Sequence, residues 1–414
     1  MRANPAEPVL VTAAAVCDPW GACHAPGACV ARGGEVVAWG PAAGLERAWA
    51  GARRVDAGAA LLLPGMVNAH AHLDLAGVGP RPYGGDFLGW VRREVLPARR
   101  AGAGAGSGDS GGVVRVAAAA SLAAGVEAIG DVAGTPGARD ALRGSGLRGV
   151  SYEEVFGLRD GAVETLRRRA EELAAASEEA VSPPGGVLTG LQPHAPYSVS
   201  PAGYAACVRT GLPLMTHLAE LVEEAELVGS GTGPMRAMLG GAGLWGPELD
   251  AVYGGGLSPV AWLAPALSAA AGRFVVAHVN HAGDGDLATL ARARASVAYC
   301  PVASAYFGHT GHRYREMLDA GVNVALGTDS AICQPPGEPA PHGVLPQARF
   351  LFRRDGTDPG VLVRMACANG FAALGLPVVT RRLLLVPVDA GAGDPLRQAL
   401  GGDAPPRVVA VADL

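Results

Sequence analysis

Two histidines separated by one residue, His70 and His72, end an apolar run that begins at Leu61. On a β-strand, side chains two positions apart point to the same face, so the two imidazoles would lie side by side where the strand ends. Such a pair is typical of metal ligands, although isolated His-x-His pairs also serve as ordinary filling or capping residues. The pair therefore predicts a metal site that ligands elsewhere in the chain must complete.

Three later segments repeat this form, an apolar run that ends in a side chain able to bind a metal or move a proton. They end at His217 with Glu220, at His278, and at Asp329 with Ser330. In the last run small or polar residues alternate with aliphatic ones, as expected for a strand with one face toward a barrel lumen. Active sites of (β/α)8 barrels lie at the C-terminal ends of the strands, so the four segments predict one site at one end of a barrel.

Four motifs, taken in order, resemble those of the amidohydrolase superfamily, in particular its branch of cytosine-, guanine- and adenosine-type deaminases and chlorohydrolases. They are His70-Ala-His72, His217-Leu-Ala-Glu220, His278 and Gly327-Thr-Asp329-Ser330. The resemblance covers nearly the whole chain. It implies an α/β fold, namely a (β/α)8 TIM barrel with a small β-sandwich domain formed from both chain termini.

Both ends of the chain carry short β-like runs broken by glycine and proline. The expected boundaries are residues 1–63 for the N-terminal part of the sandwich, 64–375 for the barrel and 376–414 for the C-terminal part. The C-terminal part departs from the family, because the usual glycine-rich turn with its Ala-Asp-Leu strand is missing or displaced to Ala412-Asp413-Leu414. The completeness of the sandwich is therefore open.

Eight barrel strands are predicted, with helical patterns between most of them. They end near His72, Asp131, Glu154, His194, His217, His278, Cys300 and Asp329. The glycine-rich stretch 101–112 is predicted to be a flexible surface loop within the barrel.

The chain contains no lysine, so all 33 basic residues are arginines. Binuclear amidohydrolases commonly bridge two metals with a carboxylated lysine, and this absence therefore predicts a single-metal site. It also excludes a Schiff-base mechanism and a P-loop, which both need a lysine amine. His70, His72, His217 and Asp329 would hold one divalent ion, Zn²⁺ or Fe²⁺, and leave a position for water.

The resemblance also implies catalytic roles. In the resembled deaminases the glutamate that corresponds to Glu220 takes a proton from water and delivers it to a ring nitrogen. His278 would hydrogen-bond the attacking hydroxide, and Asp329 would pass a proton toward departing ammonia. For Glu220 to face the metal, the strand that carries His217 must end near Leu218. An ordinary alternative stays open for each residue. Glu220 could be an acid in the first turn of a helix, His278 a core histidine and Asp329 a helix cap.

Substrate contacts are expected after strands four, seven and eight. The candidates are His194, Tyr197, His309, His312, Arg313 and Ser330. His194 and Tyr197 belong to a Gln-Pro-His-Ala-Pro-Tyr segment that resembles the part of nucleoside-type deaminases that meets the ribose. The basic residues after strand seven either replace an asparagine that family members usually carry there, bind an anionic substituent, or form a solvated helix start.

Within this branch, the segments look most like bacterial deaminases of 6-aminodeoxyfutalosine, a menaquinone precursor with an adenine-like base and a benzoate tail. The expected activity is metal-dependent hydrolytic deamination of an aminopurine nucleoside-like compound, which cleaves a non-peptide C–N bond of a cyclic amidine. The same site would also suit a chlorohydrolase or alkylaminohydrolase, or a deaminase of cytosine, guanine or 8-oxoguanine. An inactive binding protein that kept the barrel is a further alternative.

Composition narrows the class of protein. A net charge of −5 and a pI near 6.1 argue against a nucleic-acid binder. No apolar stretch reaches the roughly 18 residues of a membrane span, and no signal-like segment opens the chain, so a cytoplasmic enzyme with a small-molecule substrate is expected. The seven cysteines lack the spacing of a zinc module or a disulfide framework. A homodimer is left open.

Overall fold

The computed structural model describes residues 7–100, 110–135, 137–179, 186–337 and 341–414. Residues 101–109 of the predicted glycine-rich loop lie outside this range, whereas residues 110–112 begin a helix instead of a loop. In chain order the strands are β1 Val9–Ala13, β2 Ala15–Cys17, β3 Cys23–His24, β4 Gly27–Arg32, β5 Glu35–Pro41, β6 Arg53–Asp56, β7 Ala60–Pro64, β8 Met66–Ala71, β9 Val126–Ala133, β10 Arg148–Val155, β11 Val187–Pro193, β12 Leu214–Leu218, β13 Phe274–His278, β14 Ser296–Tyr299, β15 Asn323–Leu326, β16 Arg382–Pro387 and β17 Arg407–Ala410. The helices are α1 Ala42–Ala48, α2 Phe87–Trp90, α3 Leu96–Arg100, α4 Ser110–Ala123, α5 Ala138–Arg143, α6 Asp160–Glu179, α7 Pro201–Arg209, α8 Val222–Ser230, α9 Gly233–Gly241, α10 Pro259–Ala270, α11 Asp284–Ala293, α12 Pro301–Tyr306, α13 Tyr314–Asp319, α14 Val344–Asp355, α15 Pro359–Ala366, α16 Ala368–Ala373 and α17 Pro395–Gly401.

Eight parallel strands, β8 to β15, pair in the order of the chain. The last strand returns to the first: Ala71 and Asp329 form a parallel bridge, and the backbone N–H groups of Thr328 and Asp329 both donate to the carbonyl oxygen of His70 at 3.0 Å. The predicted (β/α)8 barrel is confirmed. All eight strands end within three residues of the predicted positions.

The barrel interior follows the two-residue period of its strands. Along β13, Val275 belongs to an inner cluster with Val67 and Tyr152. Its neighbours Phe274 and Val276 pack outward against the ring of helices. Alternating faces that are both apolar explain why the strands appear in the sequence as continuous apolar runs.

Two further sheets form beside the barrel. The first has the strand order β5-β4-β1-β6, and the second has the order β17-β16-β7-β2-β3. Apolar side chains from both, including Val11, Leu62 and Leu383, share one cluster between them. Strands from both ends of the chain therefore build the predicted sandwich. Of the two alternatives for the Ala-Asp-Leu strand, displacement to residues 412–414 is excluded, since Val411–Asp413 is a 3-10 turn.

The sandwich is joined to the first barrel strand without a loop. Strand β7 ends at Pro64 and β8 begins at Met66. A Cβ on the intervening Gly65 would lie 2.8 Å from a carboxylate oxygen of the buried Glu127, so only glycine fits. The boundary expected at residues 63/64 falls at this junction, and the three domain boundaries stay predictions. Among the described helices, none is long and apolar enough to cross a membrane.

Candidate active site

Five side chains converge at the C-terminal end of the barrel. His70 and His72 end β8, His217 lies in β12, His278 is the last residue of β13, and Asp329 follows β15. Asp329 Oδ1 lies 3.8 Å from His70 Nε2 and 3.7 Å from His72 Nε2, and the Nε2 atoms of His72 and His217 are 3.3 Å apart. The structure thus brings together all four ligands predicted from the sequence.

Overlapping groups of these side chains place their ligand atoms within 4.8 Å of one another. The groups are His70–His217–His278, His70–His72–Asp329 and Glu220–His278–Asp329. Within the described ranges, this cluster is the place where histidine, cysteine and acidic side chains gather closely enough for one ion. The cysteines at 17, 23 and 29, spaced evenly in the sequence, form no such group.

The electrostatics of the cluster suit a cation. Burial raises the pKa of Asp329 to about 7 and, with the Asp329 carboxylate beside it, raises the pKa of Glu220 well above its usual range. Burial also lowers the pKa of His70 and of His278 well below the usual range, so both imidazoles stay neutral and keep a lone pair. His70 Nε2 has no hydrogen-bond partner among the described residues. A divalent ion would accept these lone pairs and offset the carboxylate charge, so the residues fit a metal.

His217 is oriented by the strand beside it. Its Nδ1 lies 3.1 Å from the carbonyl oxygen of His194, at the end of β11. With the Nδ1–H donating to that carbonyl, Nε2 presents its lone pair to the cluster, as is usual for metal-binding histidines.

A tight turn places Glu220 over the cluster. Strand β12 ends at Leu218, as predicted, and Ala219 then takes a left-handed conformation with φ of 48°. The buried carboxylate of Glu224 accepts hydrogen bonds from the N–H groups of Ala219 and Glu220, both at 3.0 Å. Glu220 Oε1 comes to lie 3.7 Å from His278 Nε2. The turn is therefore held from within by a second acid.

Backbone strain concentrates at this end of the barrel. Of the six non-glycine residues with positive φ in the described chain, four belong to the site: Ala219, His278, Val279 and Asp329. For a β-branched residue such as Val279, φ of 55° is a genuine outlier. Conformations of this kind persist only where the surrounding structure imposes them, and they cluster at functional sites.

A cavity opens above the cluster, and together with the open solvent at its mouth its empty space amounts to about 770 Å³. Its floor contains His72, His217, Glu220, His278 and Asp329. Further polar residues of the lining are Glu154, His194, Tyr197 and Ser330. The remaining lining residues, which we call the apolar wall, are Leu75, Phe87, Leu88, Trp90, Val91, Val95, Met238, Phe307, Ile332 and Cys333. Such a cavity suits a flat, largely apolar ligand with a few polar edges.

Three of the six residues expected to contact substrate line this cavity. His194 Nδ1 is hydrogen-bonded to Ser198 Oγ at 2.7 Å, and its Nε2 lies 3.9 Å from a carboxylate oxygen of Glu154. Tyr197 and Ser330 also line the cavity, and the Ser330 side chain additionally caps a short 3-10 turn. Their roles in substrate binding stay predictions.

The structure does not bring the other three into the cavity. His312 Nε2 lies 2.7 Å from the carbonyl oxygen of His278, behind the site, and its ring stacks on Tyr299. His309 contacts the ring of His281. Arg313 is engaged by Asp284, 2.6 Å away, and by Glu316. The alternative of a solvated helix start describes Arg313 best, and none of the three has an arrangement that supports a direct substrate contact.

Several cavity residues escaped the sequence analysis. Glu154 was recognised only as a strand end, and the aromatic wall was not recognised at all. The one available signal for the wall was the density of aromatic residues at positions 83–90 and 306–307. Cys333 donates from its thiol toward Asp329 Oδ2 at 3.4 Å. No motif marks that contact, because it depends on the fold of the loop after β15.

Comparisons with known proteins agree with this arrangement. The profile of the amidohydrolase family matches residues 61–379. The aminodeoxyfutalosine deaminase of Deinococcus radiodurans is 29% identical in an alignment 392 residues long, which covers 88% of this chain and 85% of that protein. The 5-methylthioadenosine/S-adenosylhomocysteine deaminase of Symbiobacterium thermophilum is 28% identical in an alignment 313 residues long, which covers 74% of this chain and 65% of that protein.

A solved structure shows the same fold. The aminofutalosine deaminase of Helicobacter pylori, in complex with methylthio-coformycin, superposes with a TM-score of 0.79 at 18% identity. The match covers 97% of this chain and 98% of that one.

Proposed function

We propose, from the premise that this chain belongs to the amidohydrolase family and is a hydrolase acting on carbon–nitrogen bonds, that it deaminates adenosine-like nucleosides. The observation that carries the proposal is the meeting of Glu220, His278 and Asp329 in a cavity lined by both polar and apolar side chains. The relatives named above support the nucleoside class. As the specific substrate we propose 6-aminodeoxyfutalosine, a menaquinone precursor, because the relative with that name aligns over nearly the whole of both chains.

His70, His72, His217 and Asp329 would hold the divalent ion, and we propose Zn²⁺, which favours such nitrogen and carboxylate ligands. When bound, the ion supplies Lewis acidity and lowers the pKa of a water molecule toward neutrality. The neutral state of His70, imposed by burial, is the state that a metal ligand requires.

Glu220 carries the proton in the first half of the reaction. Its buried carboxylate takes one proton from the attacking water and delivers it to the ring nitrogen beside the amine-bearing carbon, while the water oxygen bonds to that carbon. Burial raises the pKa of Glu220, which makes it a competent base and gives it a proton that it can hold between the two transfers. His278 Nε2, 3.7 Å from Glu220 Oε1, lies where it can orient the attacking oxygen.

Asp329 serves the second half. Its carboxylate takes the remaining proton of the added hydroxyl and passes it to the amine, which leaves as ammonia while a carbonyl forms on the ring. Overall, one water is consumed and one ammonia is released, and both carboxylates return to their starting state. The thiol of Cys333, hydrogen-bonded to Asp329 Oδ2, leaves Oδ1 toward the imidazoles.

The polar lining of the cavity fits a sugar. Glu154 and His194 present a carboxylate and an imidazole 3.9 Å apart, a pair that can bind the two hydroxyls of a ribose. In the lining of the same cavity, the rings of Phe87 and Phe307, 5.1 Å apart, offer an apolar face to a planar or aliphatic substituent.

A Glu220→Gln variant tests the proposal. It should lose about 10²- to 10⁴-fold in kcat, because glutamine cannot accept and return the proton, while the dissociation constant for nucleoside and the metal content stay near those of the parent. Glu226→Gln, an exposed acid on the neighbouring helix α8, is the matched control.

The substrate is tested by ammonia release from metal-loaded protein. The panel contains 6-aminodeoxyfutalosine, adenosine, methylthioadenosine, guanine, cytosine and 8-oxoguanine. We expect the three nucleosides to be deaminated, with 6-aminodeoxyfutalosine the best of them. Release from a free base alone would refute the nucleoside assignment, and silence on the whole panel would refute the deaminase.

A further inference from the structure

A second cavity, which we call the outer cavity, borders the active-site cavity. Leu88 and Met238 line both, so the two spaces share a boundary made of two flexible apolar side chains. The outer cavity lies between α2 with the π-helical turn Val91–Val95 on one side and α9 on the other. π-Helical turns are rare and occur mostly at functional sites.

One cationic side chain faces this outer space. Arg92 lines it, whereas its neighbours Val91 and Val95 on the same turn line the inner cavity. Within the described part of the chain, no ion pair or hydrogen bond to the guanidinium of Arg92 is present. By contrast, Arg93 lies 3.6 Å from Asp86, and Arg81 lies 3.6 Å from Glu94. The two neighbouring arginines are thus neutralised, and Arg92 keeps its charge for an external partner.

The acidic residue of the outer cavity is already engaged. Asp86 caps helix α2 by accepting a hydrogen bond from the N–H of Gly89 at 2.8 Å, and its other oxygen faces Arg93. Its charge is therefore largely offset, and the net charge available to a ligand in this space comes from Arg92.

The cavity that borders the active site at Glu154 is less suited to an anion. This third cavity shares Glu154 with the inner one and contains Arg139 and Arg169. Both arginines are already paired with Glu153, at 3.5 and 2.6 Å. An anion in this cavity would also meet the carboxylate of Glu154, which would repel it.

We propose that the outer cavity is a carboxylate subsite in which Arg92 binds the anionic tail of a nucleoside substrate whose base reaches the metal cluster. The inference rests on the proposed function and deepens it, since it assigns a position to the benzoate carboxylate of 6-aminodeoxyfutalosine. The apolar wall of the inner cavity receives the aromatic ring of the tail, and Leu88 and Met238 flank it. The guanidinium donates paired N–H groups to the two carboxylate oxygens, a geometry that lysine cannot supply.

The experiment compares 6-aminodeoxyfutalosine with its benzoate methyl ester, which has the same shape but no charge. For each protein we measure the ratio of kcat/KM for the acid to kcat/KM for the ester. In Arg92→Gln this ratio should fall about tenfold, carried by KM of the acid, because an exposed charge-assisted pair contributes on that order. Arg236→Gln is the control, since it removes an equal charge from α9, where the guanidinium stacks on Trp245 at 4.1 Å.

Three outcomes would overturn the subsite: a ratio in Arg92→Gln within twofold of the parent, an equal fall in Arg236→Gln, or a fall confined to Arg139→Gln. A binding measurement separates this failure from failure of the proposed function. The dissociation constant of the acid is measured calorimetrically for Glu220→Gln and for Glu220→Gln with Arg92→Gln. A tenfold weaker constant in the double variant supports the subsite even if no substrate is turned over, and equal constants refute it.

Discussion

Removing the metal should make this protein less stable as the pH rises toward neutrality. In the metal-free protein the carboxyl group of Asp329 is buried among imidazoles, and its pKa is raised from 3.8 to about 7. A group whose pKa is higher in the folded state than in the unfolded state binds its proton more tightly when folded. The stability that Asp329 contributes is therefore fully present below pH 3.8, and this contribution is lost as the pH rises from there to 7.

The magnitude follows from the size of the shift. About three pKa units at 1.36 kcal/mol each give a loss of about 4 kcal/mol between pH 4 and pH 8. For a chain of this length, an unfolding entropy of roughly 2.1 cal/mol/K per residue converts that loss into a fall of roughly 5 °C in Tm. A bound divalent ion stabilises the ionised carboxylate, so the loss should vanish when the metal is present.

The assay is equilibrium urea unfolding at pH 5 and pH 8, with chelated and with metal-loaded protein. Asp329→Asn serves as the matched variant, because its amide does not titrate. The chelated parent should lose several kcal/mol between the two pH values relative to chelated Asp329→Asn. A chelated parent whose stability is flat or rises with pH relative to this variant would refute the reasoning.

Two smaller predictions concern residues outside the ligand set. Glu224→Gln should lower kcat at least tenfold, because one of the two N–H groups that hold the Glu220 turn loses its acceptor. The control Glu226→Gln should leave kcat unchanged. A kcat of Glu224→Gln equal to that of the parent in steady-state ammonia release would contradict the assignment. Burial lowers the pKa of His342 to about 4, below its unfolded value of 6.5, so its contribution to stability is lost as pH falls from 6.5 toward 4. Between pH 6.5 and 4, the free energy of unfolding measured with urea should therefore fall less steeply in His342→Gln than in the parent, by up to about 1.4 kcal/mol per pH unit. An equal dependence on pH in the two proteins would contradict this prediction.

The parts of the structure that the sequence predicts are those governed by strand periodicity. The apolar run before His72 and the alternation before Asp329 each identify a strand and the face on which its last residue lies. Since parallel barrel strands all end at the same side, convergence of the ligands follows without any knowledge of the loops. The same argument places the end of β12 at Leu218 and thereby the turn that carries Glu220.

The parts that it does not predict depend on the loops that follow those strands. Arg313 lies close in sequence to the end of β14, yet its charge is satisfied by Asp284 and Glu316 away from the cavity. The apolar wall comes from the segment after β8 and from helix α9, which meet only in three dimensions. No periodic pattern in the sequence predicts this contact, because the conformation of a loop is set by tertiary contacts rather than by a repeating pattern.

The uninterrupted passage from β7 into β8 bears on how the chain acquires its structure. Strand β7 pairs with β16, and near it Arg381 binds Glu35, which is 346 residues away along the chain. The strand that supplies His70 and His72 is thus anchored at its start by residues that are synthesised much later. Closing so long a loop is entropically costly, and contacts of this separation slow folding. During synthesis, β7 therefore lacks its partner β16 until that strand has been made, and the apolar edge of β7 stays unpaired until then.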